Sequence, residues 1–185
     1  MVTRKEQVYY ELLILRCRRQ DRSAREELIR CWEKRLFYYI RRLLDDEEDA
    51  WDVLQETWLA VLAGIGSIKE PSSLPAWLYR VARNQAMDRL RKKCRDREMF
   101  IDGESIPEIG TPDETIGLQN AEHVHQALGR LSLPHREVLT LFFLEDLSQE
   151  EIAGVLQATI GTVKSRLHYA KRALRAVLEE EAYTQ

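Results

Sequence analysis

The sequence predicts an all-α protein of two small helical domains joined by a flexible acidic linker, the second domain containing a helix-turn-helix. Three observations predict it. Only 8 Gly and 5 Pro interrupt 185 residues, so long segments run between breakers. Those segments place apolar residues at helical spacing, with no alternating pattern and no hairpin turns. Residues 96–118, "DREMFIDGESIPEIGTPDETIGL", collect Gly, Pro and acids without periodicity, the composition of a connector. The domains therefore span 1–95 and 119–185, with the linker at 96–118.

In chain order, a first helix covers about Arg4 to Arg19. "SARE", Ser23–Glu26, reads as a capping box opening a second that runs to about Leu44. "DDEEDAWDVLQETWLAVLAG" is a third, with acids in its first turn where the helix dipole favours them; Gly64 and Gly66 end it. "GSIKEPSS" is a loop. Ser73 and Pro75 start a fourth helix reaching about Lys93. Beyond the linker, helices are expected over about 113–130, 134–145, 148–156 and 160–180, with Pro134 and the capping box "SQEE", Ser148–Glu151, marking two of the starts. Trp32, Trp51, Trp58 and Trp77 are expected in the core, since aromatic side chains dominate core burial.

Net charge is −3, from 28 Lys+Arg and 31 Asp+Glu, which excludes a global basic field. The charge is segregated: residues 1–95 carry 20 basic and 15 acidic side chains, and residues 96–118 carry 1 and 7. Cys17, Cys31 and Cys94 are odd in number and far apart, so neither a disulfide framework nor a zinc site is expected, and free thiols fit a cytoplasmic location. The charged start "MVTRKEQVYYELL" lacks a secretory pattern. The longest apolar run, "VLTLFFL", is too short for a bilayer, so no direct membrane insertion is expected. No nucleophile elbow, phosphate loop or HExxH occurs. His123 and His125 read as surface residues. An enzyme is not expected, nor any cofactor or metal.

In the last helix, Ile160, Val163, Leu167, Ala170, Leu174 and Val177 follow helical spacing toward a core. That turns Thr162, Lys164, Ser165, His168, Tyr169, Lys171 and Arg172 outward, with Thr159 able to cap. Two short helices joined by a brief turn, the second basic, fit a helix-turn-helix; a solvated basic face is the plainer alternative. Arg166 either reaches DNA or pairs with Glu150 or Glu151. In the third helix, Ala50, Val53, Leu54, Thr57 and Val61 form an inward stripe, and Asp49, Asp52, Gln55, Glu56 and Leu59 an outer acidic one. That outer stripe is either a solvated face or a docking ridge for a basic partner. In the fourth, Arg80, Arg83, Asn84, Met87 and Arg91 share one stripe, and Arg89, Lys92, Lys93 and Arg95 enlarge its basic end, a surface able to track a phosphate backbone.

The segments "LSLPHREVLTLFFLEDLSQEEIAGVLQATIGTVKSRLHYAKRAL", "DAWDVLQETWLAVL" and "WLYRVARNQAMDRLR" together resemble bacterial RNA polymerase sigma factors of the extracytoplasmic-function type, in the family's order and over about residues 22–178. The resemblance implies a subunit that binds core polymerase and directs promoter-specific initiation, rather than a stand-alone helix-turn-helix regulator or a protein-interaction module. It implies that Asp49, Asp52, Gln55, Glu56 and Leu59 meet the β′ clamp helices. It implies that Ser67, Lys69, Arg80, Arg83, Asn84, Met87 and Arg91 recognise and melt the minus-10 element. Thr162, Lys164, Ser165, Arg166, His168, Tyr169 and Arg172 would then read the minus-35 element. The β flap, promoter DNA and an anti-sigma factor are the other partners it implies. Asn84 and Asp88, one turn apart, would orient the loop at Ser67 and Lys69. The acidic linker is either a nucleic-acid mimic in the polymerase channel or a solvated tether. Two positions depart from the family: Gln157 stands where glycine usually makes the turn, and Tyr169 where arginine is frequent.

Overall fold

The computed structural model describes the backbone of residues 4–44, 46–100 and 126–184, with side chains through 95 and 180 in the last two segments. Most of the segment read as linker, the start of the helix expected from 113, and His123 and His125 lie outside the described residues. Within them every regular element is helical.

The N-terminal domain is built from α1 (Arg4–Arg18), α2 (Arg22–Leu43), α3 (Glu47–Gly64) and α4 (Leu74–Phe100), with two 3-10 turns, Ile65–Ser67 and Pro71–Ser73, between α3 and α4. α2 starts at Arg22 because Asp21, not the expected Ser23, is the cap. The Asp21 carboxylate accepts from the Ala24 N–H at 3.2 Å and from Arg16 at 2.9 Å, which holds it below the usual carboxylate range, the Arg16 bond first and the backbone bond second. Asp46 caps α3 by accepting from the Asp49 N–H at 2.8 Å. Helix α4 runs to Phe100, beyond the expected end near Lys93 and into the segment read as linker.

Leu28, Leu36 and Tyr39 of α2 and Val53 and Val61 of α3 are fully buried, with Leu74, Leu78 and Tyr79 of α4. All five residues of the inward α3 stripe are buried. An aromatic row ties three helices together: Tyr10 meets Trp32 at 6.1 Å, Trp32 meets Tyr79 at 6.1 Å, and Tyr79 meets Tyr39 at 5.2 Å between ring centres. Trp51 departs from the expected core placement. It is 43% exposed and stacks on Phe37 at 4.1 Å, because it projects beside the inward stripe rather than along it.

The C-terminal domain comprises a helical end at 126–129, α5 (Leu133–Leu139), a π turn (Thr140–Leu144), α6 (Gln149–Leu156) and α7 (Ile160–Thr184). The helix expected over 134–145 is therefore regular only to Leu139. There it widens, with the Glu145 N–H donating to the Thr140 carbonyl, five residues back, at 3.2 Å. The capping box at Ser148 forms as expected: the Ser148 hydroxyl accepts from the Glu151 N–H, and the Glu151 carboxylate accepts from the Ser148 N–H. Ile160, expected inward, is 40% exposed; it sits in the first turn of α7, ahead of the point where that helix meets its neighbours. Val163, Leu167 and Ala170 are buried as expected.

The turn between α6 and α7 is made by Gln157 in the left-handed conformation, φ 52° and ψ 44°. The Gln157 and Ala158 N–H groups both donate to the Ala153 carbonyl, so the backbone geometry is that of a glycine-type helix end without glycine. A non-glycine residue there costs about 1–2 kcal/mol. Gln157→Gly should therefore stabilise the protein by about 0.5–1 kcal/mol after the added flexibility of the unfolded chain is counted, and Gln157→Val should destabilise it. Urea denaturation checks both; a destabilising glycine would contradict the strain.

Candidate nucleic-acid interface and protein-docking ridge

On α3, Asp52, Gln55, Glu56 and Leu59 all point outward, Leu59 at 72% exposure. The ridge exists as read, but it is not an unpaired acidic surface. Arg89 of α4 lies across it, 3.2 Å from Asp49, 3.1 Å from Asp52 and 3.9 Å from Glu56, and Lys93 also pairs with Asp49. Asp49 is accordingly the least accessible member. This corrects the placement of Arg89 and Lys93 in the basic end of the α4 stripe. At 100° per residue Arg89 lies about half a turn from Arg80, and that side of α4 packs on α3.

On the other side of α4, Arg80 and Asn84 are exposed, Met87 is half-buried, and Arg91 pairs with Asp88 at 2.8 Å. The Asp88 carboxylate is thus occupied by its own helix rather than by the loop it was expected to orient. In that loop, Ser67 and Lys69 are exposed while Ile65 and Ile68 are buried anchors; the Ser67 hydroxyl donates to the Gly64 carbonyl at 2.7 Å. Arg83 is the exception in the stripe. It faces the C-terminal domain and donates to Glu137 at 2.8 Å.

On α7, Lys164, Ser165, His168, Tyr169 and Arg172 are exposed, and Thr162 and Arg166 half-buried. Thr159 caps the helix by accepting from the Thr162 N–H at 3.1 Å. The Ser165 hydroxyl donates to the Gly161 carbonyl at 2.8 Å, and the rings of His168 and Tyr169 meet edge to face. Among the described residues, Arg166 forms no ion pair with Glu150 or Glu151, which leaves it available to a partner. Lys171, by contrast, lies 5.1 Å from the ring centres of Phe142 and Phe143.

Sequence reasoning missed the seam between the domains, where α4 packs on α6 and α2 on α5. Glu137 accepts from Arg83 and from the Tyr39 hydroxyl at 3.0 Å. Glu145 accepts from Arg35 at 2.9 Å and from Tyr79. Arg136 donates to the Arg42 carbonyl at 3.2 Å, near the C-terminal end of α2, where the helix dipole favours a cation. Burial pushes the Glu145 carboxyl above its usual range, against the opposing pull of Tyr79 and Arg35. Burial, reinforced by the neighbouring carboxylate, likewise raises the Tyr79 and Tyr39 hydroxyls. The available signal was two acids, Glu137 and Glu145, bracketing the apolar run "VLTLFFL": charges at the ends of a buried segment need partners.

Two helical domains, one with an acidic ridge backed by a basic helix and the other with a helix-turn-helix, define a factor that docks on protein and DNA. Among the described residues no acidic, His or Cys cluster is placed to hold a metal, and no helix is long and apolar enough to cross a membrane. The sequence matches Sigma-70 region 2 over residues 28–96 and Sigma-70, region 4 over residues 121–174. It is 39% identical over 155 residues to the ECF RNA polymerase sigma factor SigL of Mycobacterium tuberculosis, covering 81% of this chain and 86% of that one. It is 31% identical over 178 residues to the RNA polymerase sigma-H factor of Pseudomonas aeruginosa, covering 90% and 92%. The fold matches the sigma factor RpoE of Bartonella quintana, solved with the anti-sigma factor NepR, at a TM-score of 0.71 and 27% identity over 83% of this chain and 96% of that one. The chain belongs to the extracytoplasmic-function sigma factors. It is a promoter-specific transcription initiation factor whose partners are core RNA polymerase and promoter DNA, in a family of non-enzymatic factors.

Proposed function

We propose a division of labour among three surfaces. The α3 ridge, Asp49, Asp52, Gln55, Glu56 and Leu59, docks on the β′ clamp helices. Arg80, Arg83, Asn84, Met87 and Arg91, with Ser67 and Lys69 of the adjoining loop, recognise and open the minus-10 element. The outer face of α7, Thr162, Lys164, Ser165, Arg166, His168, Tyr169 and Arg172, reads the minus-35 element. The β flap and an anti-sigma factor complete the set of partners, and the protein works in the cytoplasm. The observation that carries this reading is the outward cluster Lys164, His168, Tyr169 and Arg172 on the second helix of a helix-turn-helix, in one chain with an acidic ridge. An overall acidic protein can read DNA this way, because local basic faces suffice once the polymerase supplies most of the affinity.

Run-off transcription with purified core polymerase on a promoter library tests the reading and yields the motif. Lys164→Ala and Arg172→Ala should each lower promoter-dependent transcription without loss of core binding. A base-specific contact is worth about 1–3 kcal/mol and should relax preference at one position. A phosphate contact should lower binding on all sequences and flatten the salt slope. Tyr169 cannot make the bidentate guanine contact open to arginine, so Tyr169→Arg should shift the preferred motif. Tight sequence-specific binding by the free protein would overturn the scheme.

A further inference from the structure

The loop that carries Ser67 and Lys69 closes on itself at both sides. The Ser67 hydroxyl donates to the Gly64 carbonyl at 2.7 Å, and the Ile68 N–H to the Ile65 carbonyl at 3.4 Å. Beyond Lys69, the Ser73 hydroxyl donates to the Glu70 carbonyl at 2.6 Å. Lys69 joins these two turns. Ile65 and Ile68, 3% and 4% exposed, bind the first turn to the core. Apolar burial is non-directional, so it fixes the depth of Ile68 and leaves the peptide that follows free to tilt. A contact from another helix removes that freedom. The Arg18 guanidinium, at the end of α1, donates to the Ile68 carbonyl at 2.5 Å. The peptide unit is planar, and a carbonyl oxygen prefers donors near its own plane. Holding the Ile68 oxygen therefore sets the direction in which the chain leaves for Lys69. The anchor is itself fixed: Leu13, Ile14 and Cys17 of α1 are buried. Arg16 ties the end of that helix to the start of α2, meeting Asp21 at 2.9 Å and Glu27 at 3.0 Å.

We propose that Arg18 is a positioning residue for minus-10 opening: it pins the Ile68 carbonyl so that Ser67 and Lys69 are already arranged when the melted strand arrives. The inference rests on the loop assignment above. It brings α1 into the opening step through the backbone geometry of the loop rather than through contact with DNA. Unpinned, the loop presents Ser67 and Lys69 correctly in only a fraction of molecules, and its apparent affinity for the strand falls to that fraction.

Hydrogen exchange on the full chain reads the pin directly. Arg18→Ala should speed exchange of the Ile68 amide at least about fivefold, a local opening that leaves α2 and α3 protected. With core polymerase, the same variant should form open complexes, read by permanganate reactivity, at least about fivefold less well. That is the loss expected if the unpinned loop is competent in at most about one molecule in five. On a library of minus-10 sequences its preference should relax where Ser67→Ala and Lys69→Ala relax it, and hold elsewhere. Arg19→Ala removes the neighbouring exposed cation and should lose no more than about twofold. A loss uniform across sequences, with a flatter salt slope, would make Arg18 a phosphate contact and overturn the positioning role. Unchanged exchange at Ile68, or opening no worse than in Arg19→Ala, would overturn it as well. If Arg18→Ala lowers the melting temperature, Arg18→Met, which keeps the aliphatic stem and removes the donor, carries the same predictions. The double variant Ser67→Ala/Lys69→Ala scores the loop assignment by itself. Unimpaired opening there would remove that assignment and the inference with it, whereas impaired opening there beside an unimpaired Arg18→Ala would overturn the inference alone.

Discussion

Trp32→Ala should destabilise the protein by about 3–5 kcal/mol, the range for deleting a large buried aromatic. The ring is 2% exposed and forms the middle of the row from Tyr10 to Tyr79, so its loss opens a cavity where α1, α2 and α4 meet. It has a second task. The Arg35 guanidinium lies 4.6 Å over its centre, and the same Arg35 holds Glu145. Removing the ring should therefore loosen the interdomain seam as well as the core. Urea denaturation would measure the first effect and scattering the second. Trp32→Phe, which keeps an aromatic face, should recover much of both. A cost below about 1 kcal/mol would mean that the site collapses onto the vacancy, contrary to the close packing of protein interiors.

Asp52→Arg should weaken binding to core polymerase by about 2–4 kcal/mol, well over tenfold, the scale for reversing a charge within a paired interface. The fold should survive, because the Asp52 side chain is 57% exposed and exposed substitutions of this kind usually stay within about 0.5 kcal/mol. The new arginine also faces Arg89, adding local repulsion on top of the lost contact. Gln55→Ala should have a smaller effect of the same sign. Binding to immobilised core polymerase, read beside a thermal melt, separates loss of docking from loss of fold. Unchanged binding in both variants would remove the ridge from the interface. Arg89 pairs with Asp49, Asp52 and Glu56 in the free protein, so under the proposed docking a clamp helix would have to bring cations able to replace it, and association should be sensitive to salt.

The helices were legible in the sequence because each carries a local signal. The inward stripe of α3 follows from spacing alone, and the Ser148 capping box and the Thr159 cap follow from residue type. The failures share a cause as well. At α2 two caps compete, and Asp21 wins because Arg16 stabilises its carboxylate from the preceding helix, a contact that a local pattern does not contain. Arg89 looked like part of a basic stripe because it sits among Arg83, Arg91 and Lys92 in sequence; angular position on α4, together with knowing which side meets α3, decides otherwise. The outward residues of α7 were separable from its core by period. Of the seam the sequence showed only that two acids bracket an apolar run and need partners, not where those partners lie. Its partners lie 54 to 110 positions apart, and no periodicity reports a contact across two domains.

The π turn at Thr140–Leu144 acts as a phase corrector. On an uninterrupted α-helix, residues eight apart differ by about 80° in direction, so Glu137 and Glu145 would address different neighbours. A turn that closes its hydrogen bond over five residues rather than four unwinds the helix and reduces that offset. The chain thereby carries two carboxylates to one adjoining surface without a loop between them. The spacing of that run is constrained as strictly as its composition: losing one residue would leave every side chain type in place and set the second carboxylate out of step with the first.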